Sequence, residues 1–296
     1  MSCINIVIYF VVIFWLFSDL YTGDVLYLTS YFIKQNINEC VGHKNIKMIA
    51  FITGATSGIG KSTAIEFAKH GYDLIITGRR QERLTEFKAK LETTYLVKVV
   101  DLCFDVRGEA PVNSAIDNLS DDFKRIDVLV NNAGLAAGLS SFQDGNISHW
   151  ERMIDTNIKG LLYVSKRIAN LMIANKKGHI INVGSIAGKE VYANGNVYCA
   201  TKHAVDALNK GMRIDLLPHG IKVSAVNPGM VETEFSIVRF DGDEERAKKV
   251  YENIVPLKPV DIAETIYWMA SRPAHVNIND VIIMPTIQAN STTVLR

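Results

Sequence analysis

The chain has 296 residues, a formal net charge of +1 and 48% hydrophobic residues. That length allows one large domain with a substantial core or two small ones, and the balance of charge excludes a nucleic-acid binder built on a basic phosphate-tracking surface. Cys3, Cys40, Cys103 and Cys199 form neither CxxC pairs nor metal-ligand spacing, which argues against a disulfide framework and makes a reducing cytosol the default setting.

The first 47 residues differ from the rest. INIVIYFVVIFWLF (Ile4–Phe17) is almost continuously apolar, yet it falls short of the roughly 20 residues of a membrane-spanning helix. It shows neither the charged start nor the cleavage site of a secretory signal. It reads as a membrane anchor, an added structural segment, or residues absent from the working protein; the third is the expectation, because MIAFITGATSGIG opens a self-contained domain at Met48. Strands are then expected at Ile49–Thr53, Asp73–Thr77, Val97–Phe104, Val128–Asn131, His179–Val183, Lys222–Val226 and Val281–Met284. Helix-length segments lie between most of them, at Gly60–Lys69, Gln81–Glu92, Glu109–Phe123, Trp150–Ala174, Asn196–Leu217 and Asp261–Ala270. This alternation predicts an α/β fold of the Rossmann type, a doubly wound parallel sheet between two helical layers, in a single domain over residues 48–296.

FITGATSGIGKSTAIEFAKHG reads as strand, glycine-rich turn and helix. Gly54 permits the tight turn, Gly58 lets backbone approach a pyrophosphate, and Gly60 lets the helix pack close to the strand, while the helix N-terminus offers N–H groups to the anion. A glycine triplet alone is a weak sign, but the strand before and the helix after supply the context that a dinucleotide site requires. GKS at Gly60–Ser62 does not make a nucleotide-triphosphate loop, because that frame needs glycine at Ala55. The second strand ends in TGRRQERL, with Gly78 where an NAD-preferring site carries an acid, then Arg79 and Arg80. Guanidinium groups fork onto a 2′-phosphate, so NADP(H) is expected over NAD(H).

NVYCATKHA places Tyr198 and Lys202 four apart on one helix face. A free phenol titrates near 10, too high for proton exchange at neutrality, and a neighbouring cation lowers it. Most Tyr-x-x-x-Lys pairs are surface pairs, but here NVGSIAG puts Ser185 just after a strand, and NNAG (Asn131–Gly134) follows another. Ligands of open parallel sheets meet the strands at those ends. His149, His179 and His203 have no metal-like spacing and no metal is expected; Cys199 reads as a small buried hydrophobe, and Tyr267 and Trp268 as core or interface.

From Met48 onward the chain resembles the short-chain dehydrogenase/reductase family, through TGATSGIG, NNAG, Asn157 in MIDTNIKG, Ser185, YCATK and NPGMVET in that order. The resemblance implies Tyr198 as general acid/base, Ser185 as holder of the substrate oxygen, Lys202 on the nicotinamide ribose and lowering the tyrosine, and Asn157 orienting a relay water. It implies cofactor contacts at Ser57, Ile59, Asp105, Asn132, Ala133, Gly134, Pro228, Gly229, Val231 and Thr233, besides the residues already named. TGRRQERL, NNAGLAAG, GNVYCATKHAV, TEFSIVRFDGD and RPAHVNIND also resemble the NADP-dependent 3-hydroxy acid dehydrogenases of that family. Small 3-hydroxy acids such as L-serine, L-allo-threonine, 3-hydroxyisobutyrate and 3-hydroxypropionate, and their carbonyl partners, are the implied substrates. A carboxylate needs a cation, and Arg239 in SIVRF is the candidate, set against a surface arginine or a subunit contact. Alternatives are a 3-oxoacyl-carrier-protein reductase or broad carbonyl reductase of the same fold, an NADP(H) sensor without turnover, and a membrane-anchored reductase if residues 1–47 are real. A cytoplasmic homotetramer assembled through Trp150–Ala174 and Asn196–Leu217 is the expected form.

Overall fold

Among the described residues of this computed structural model, 47–295, the apolar runs become seven strands of one sheet: Ile49–Ile52 (β1), Asp73–Gly78 (β2), Val99–Cys103 (β3), Val128–Asn131 (β4), Gly178–Val183 (β5), Ile221–Pro228 (β6) and Asp280–Ile283 (β7). All neighbours pair in parallel, in the order β3-β2-β1-β4-β5-β6-β7. The expectation that residues 1–47 are not part of the working protein falls outside the described residues, apart from Lys47.

The expected doubly wound architecture is what forms. Strand side chains alternate between two cores, so a strand buried on both faces is predominantly apolar. On one face Ile52, Val130, Ile181 and Val226 pack with Phe67 of Gly58–Lys69 (α1), Leu84 and Phe87 of Gln81–Tyr95 (α2), and Ile262, Ile266 and Met269 of Pro259–Ala270 (α9). On the other, Phe51, Leu129, Ile180 and Val223 pack with Val112 and Ile116 of Glu109–Asp117 (α3), Val164, Ile168 and Met172 of Leu161–Asn175 (α5), and Leu216 of Asn196–Leu216 (α6). Tyr267 stacks on His70 at 3.6 Å and meets Phe67 edge-on, whereas Trp268 is largely exposed.

The main departures lie near the sheet's C-terminal edge. One helix was expected over Trp150–Ala174; instead Ile147–Ile154 (α4) runs into a π-helical turn, Asp155–Gly160, before α5 begins. The extra residue in that turn aims Asn157 into the interior, a common device at functional sites. The helix expected over Glu109–Phe123 stops at Asp117, with a separate 3₁₀ turn at Asp121–Phe123. Two short helices, Phe235–Arg239 (α7) and Glu244–Lys249 (α8), follow β6 in a segment whose pattern predicted neither.

The sheet's direction of growth reverses between β1 and β4, since β2 and β3 lie on one side and β5 to β7 on the other. The backbones leaving β1 and β4 diverge there and open a crevice. Gly60 closes its floor: a Cβ at that position would strike the Gly54 carbonyl oxygen and the Asn132 amide. Gly60→Ala is therefore expected to cost about 1–3 kcal/mol through overpacking against backbone. Thermal unfolding checks this; an unchanged melting temperature would mean that α1 does not bear on the turn.

Candidate active site

The glycine-rich turn is held by polar side chains rather than by glycine alone. Gly54 and Gly58 take left-handed φ values of +66° and +51°, which favour a residue without Cβ. The Thr53 hydroxyl accepts from the N–H groups of Asn132 (3.0 Å) and Ala133 (2.9 Å). The Asn132 amide donates to the carbonyls of Thr53 (2.9 Å) and Gly54 (3.1 Å). Thus the loops after β1 and β4 are stitched together across the crevice. The Ser57 side chain makes no capping bond to α1, so it leaves the first-turn N–H groups of that helix to an incoming anion. A Cβ on Gly58 would fall 3.2 Å from Thr233, which brings the loop after β6 over the turn. These features fit a dinucleotide pyrophosphate.

At the end of β2, a Cβ on Gly78 would lie 2.8 Å from Thr56. A side chain there would force the Thr56 methyl to shift, and the sequence carries no ribose-binding acid at this position. Arg80 donates to the Thr56 hydroxyl (3.1 Å) and faces Glu234 at 3.7 Å, and Arg83 faces the same carboxylate at 3.4 Å. Asp105, expected as a cofactor contact, accepts from Arg107 at 2.7 and 2.9 Å. Burial pushes its carboxyl up, but the Arg107 hydrogen bonds and the charges of Arg107 and Arg79 hold it below the usual range.

Tyr198 and Lys202 lie one turn apart on α6, and both are buried. Ser185 starts the 3₁₀ turn Ile186–Gly188, its hydroxyl accepting from the Ala187 N–H at 3.1 Å. These three residues, together with Arg79 and Arg80, line one cleft of about 660 Å³. Of the cofactor residues expected from sequence, Gly54, Ser57, Gly58, Ile59, Asp105, Asn132, Ala133 and Gly134 also line it. So do Pro228, Gly229, Val231 and Thr233, and Arg239 from α7. Gly60 and Asn157 do not; Gly60 lies under the turn, and Asn157 sits one layer behind Gly134. The Asn157 amide donates to the Leu135 carbonyl (2.8 Å) and the Thr201 hydroxyl (3.0 Å), and its oxygen accepts from the Leu135 N–H (2.9 Å).

The electrostatics differ from the simple pairing of a phenol with an ammonium. Burial, reinforced by Tyr192, pushes the Tyr198 phenol well up from 10.0, while the Ser185 hydroxyl and the Arg239 guanidinium act to lower it. Lys202 donates to the Val183 carbonyl at 2.9 Å, and burial brings its ammonium down to about 8. Ser185 and Arg239 are groups that act to lower the phenol. Arg239 donates to the Tyr192 hydroxyl (2.9 Å) and the Gly138 carbonyl (3.3 Å), and its guanidinium carbon stands 5.7 Å from the centres of both the Tyr192 and Tyr198 rings.

Sequence reasoning missed Thr53, Tyr192, Glu234 and Gln288. Thr53 was legible in principle as a hydroxyl at a strand's last turn before Gly54. Tyr192 and Glu234 sit in irregular segments without periodicity, and Gln288, whose side-chain oxygen accepts from the Met230 N–H at 2.9 Å, is 58 residues from its partner. The histidines without metal-like spacing have ordinary settings: His179 is buried against the Ser224 hydroxyl at 2.7 Å, and His203 bonds the Cys199 carbonyl one turn back. Cys199 is fully buried.

Residues 48–244 match the short chain dehydrogenase family. The chain belongs to that family. Among its short-chain dehydrogenase relatives, the NADP-dependent 3-hydroxy acid dehydrogenase of Salmonella typhi is 46% identical over 243 residues, covering 82% of this chain and 96% of that protein. Sulfoacetaldehyde reductase 2 of Chromohalobacter salexigens is 45% identical, covering 81% and 95%. A solved serine dehydrogenase in its closed form, complexed with NADP⁺, superposes with a TM-score of 0.79 at 42% identity, covering 84% of this chain and 99% of that one.

In this short-chain dehydrogenase the depressed lysine carries a stability cost. Lys202 goes from 10.5 to about 8 on folding, which corresponds to a penalty on the order of 3 kcal/mol for holding it charged. The penalty is full below about pH 8, and stability rises with pH from there toward 10.5, where the unfolded chain binds the extra proton. Lys202→Met is expected to be more stable than the parent at neutral pH by about 1–3 kcal/mol, with the gap narrowing at about pH 9.5. Urea denaturation at the two pH values reads this; a variant that is less stable at neutrality would show that burial of the ammonium is not the governing cost.

Proposed function

We propose that the protein is an NADP(H)-dependent oxidoreductase that interconverts small 3-hydroxy acids and the corresponding 3-oxo acids or semialdehydes. The observation that carries this reading is the Arg239 guanidinium 5.7 Å from the ring of Tyr198, inside the cleft that also holds Ser185 and Lys202. A cation beside the acid/base suits a substrate whose anionic end lies only a few bonds from its reacting carbon. Relatives named for 3-hydroxy acids, serine and sulfoacetaldehyde support it, and NADP appears in the names of several.

The coenzyme supplies the hydride acceptor in oxidation and the donor in reduction. In oxidation Tyr198 takes the proton of the substrate hydroxyl as hydride leaves the same carbon; in reduction the protonated phenol returns it to the developing alkoxide. Burial favours the protonated phenol, so the resting group is set to act as an acid, and the Arg239 charge eases formation of the phenolate. Ser185 directs its hydroxyl at the same substrate oxygen, and Lys202 holds the nicotinamide ribose. Both amide hydrogens of Asn157 are engaged with protein, so a relay water would donate to its oxygen. Arg79 and Arg80 hold the 2′-phosphate, and Arg239 the substrate carboxylate.

The test is steady-state turnover of L-serine, L-allo-threonine, 3-hydroxyisobutyrate and 3-hydroxypropionate with NADP⁺ against NAD⁺, alongside 3-oxoacyl thioesters and bulky ketones with NADPH. Small hydroxy acids with NADP⁺ should be preferred. Tyr198→Phe should lose about a thousandfold in kcat while still binding NADP⁺, and Arg239→Leu should raise KM for hydroxy acids by about 10- to 100-fold. Preference for thioesters or bulky ketones would assign the fold to one of the alternative reductases, and an active Tyr198→Phe enzyme would remove the proposed acid/base.

The working domain is proposed to begin at Met48, where the family match starts, and to assemble as a cytoplasmic homotetramer through α4–α5 and α6. Apolar Leu162 and Ile214 are exposed along those helices, and Leu217 just past the end of α6. Among the described residues no helix is long and apolar enough to cross a membrane. Light scattering on residues 48–296 reads the mass; a monomer that is fully active would overturn the assembly.

A further inference from the structure

The cleft has two charged ends, and one short helix reaches both. At the substrate end, α7 carries Arg239 against Tyr192 and Tyr198. At the opposite end of the same helix, its N-cap residue Glu234 reaches across to the arginines that follow β2. The chain between β6 and α7 is held in place by pairing with Leu257, whose N–H donates to the Met230 carbonyl and whose carbonyl accepts from the Glu232 N–H, both at 2.9 Å. Thr233 then abuts Gly58 of the phosphate turn. Glu234 is therefore delivered to the mouth of the cleft by fixed neighbours, and it lines the cleft itself.

Three arginines, Arg79, Arg80 and Arg83, stand there, and Glu234 is the acid facing two of them. One nitrogen of Arg80, Nη2, both donates to the Thr56 hydroxyl and faces the Glu234 carboxylate. A fork turned toward a carboxylate is not free to close on a phosphate. The pairing is also loose, at 3.7 and 3.4 Å between side chains about half exposed, so an incoming dianion can displace it.

We infer that Glu234 is an internal competitor for the arginines that read the 2′-phosphate: its carboxylate occupies them until the phosphate of NADP(H) displaces it. The inference rests on the proposed NADP(H) dependence and adds a residue that sets how tightly that phosphate is held. The carboxylate and the phosphate seek the same donors, so removing the carboxylate's charge tightens binding of phosphorylated coenzyme. NAD(H) has no phosphate to compete, so its affinity does not rise with the same change. The acid thus lowers NADP(H) affinity and hastens release, on the same helix that anchors the substrate.

The experiment is an equilibrium titration of the full chain with NADP⁺, NAD⁺, adenosine 2′,5′-bisphosphate and adenosine 5′-monophosphate, for the parent, Glu234→Gln and Glu234→Lys. The two 2′-phosphorylated ligands are expected to bind about two- to fivefold more tightly to Glu234→Gln, and more tightly again to Glu234→Lys, while NAD⁺ and adenosine 5′-monophosphate show no gain. In an Arg80→Gln/Arg83→Gln background the gain from Glu234→Gln should vanish, as a shared interaction requires. Weaker or unchanged binding of the 2′-phosphorylated ligands to Glu234→Gln, an equal gain for both ligand classes, or a gain that persists without the arginines would each overturn the inference. A parent protein that does not prefer NADP⁺ to NAD⁺ would instead defeat the NADP(H) reading, and the inference with it.

Discussion

The hydroxyl of Thr53 is the point on which the architecture of this cleft turns. In a doubly wound sheet the chain must leave β1 and β4 in diverging directions, which leaves two neighbouring loops with unpaired backbone groups at the crevice. Thr53 accepts two of those N–H groups, and Asn132 returns two hydrogen bonds to the opposite loop. Four bonds across a gap that the ladder cannot bridge hold the phosphate turn in register with Gly134. Through Gly134 that register reaches Asn157 and Lys202, which lie 3.2 and 3.7 Å from where a Cβ on that glycine would stand. The glycine-rich turn, Asn157 and Lys202 are thereby parts of one packed unit.

Burial sets the protonation of that unit. Desolvation raises a phenol and lowers an ammonium, so it drives Tyr198 and Lys202 both toward their neutral forms. A buried site of this kind responds strongly to any charge brought into it, because little solvent is present to screen that charge. Arg239 is a cation that acts on Tyr198, and its position is fixed by Tyr192 and by two-way bonding with Gly138, whose N–H donates to the Arg239 carbonyl at 2.8 Å. On the proposed function, specificity for an anionic substrate and the readiness of Tyr198 as acid/base both depend on this guanidinium.

The sheet and its order of helices were legible because a strand covered on both faces must be largely apolar, as in DVLV and HIINV. The phosphate turn was legible for a related reason: backbone at positive φ and a helix packed on a strand leave few residue types free, and glycine is prominent among them. The π-helical turn was not. Its residues DTNIKG have no composition that marks a wider turn, and the helical period continues on both sides. What selects it is a tertiary bond set, from Asn157 to Leu135 and Thr201, formed by residues 22 and 44 positions away. The i, i+4 spacing of Tyr198 and Lys202 located the pair correctly on one helix face. It could not show that the lysine is turned to the Val183 carbonyl, since that acceptor belongs to a strand 19 residues earlier.

The segment after β6 shows the same principle. α7 has five residues, too few to declare a period, and only Ser236 of them is buried. Its position is set from outside by Leu257 pairing, by Tyr251 bonded to Ser236 at 2.8 Å, and by Arg152 reaching Asp241 at 3.0 Å. Core packing therefore constrains its sequence weakly, which leaves it free to carry charges at both ends. On the proposed function, the charges at the two ends of this half-buried helix can change without disturbing the packing beneath the glycine-rich turn.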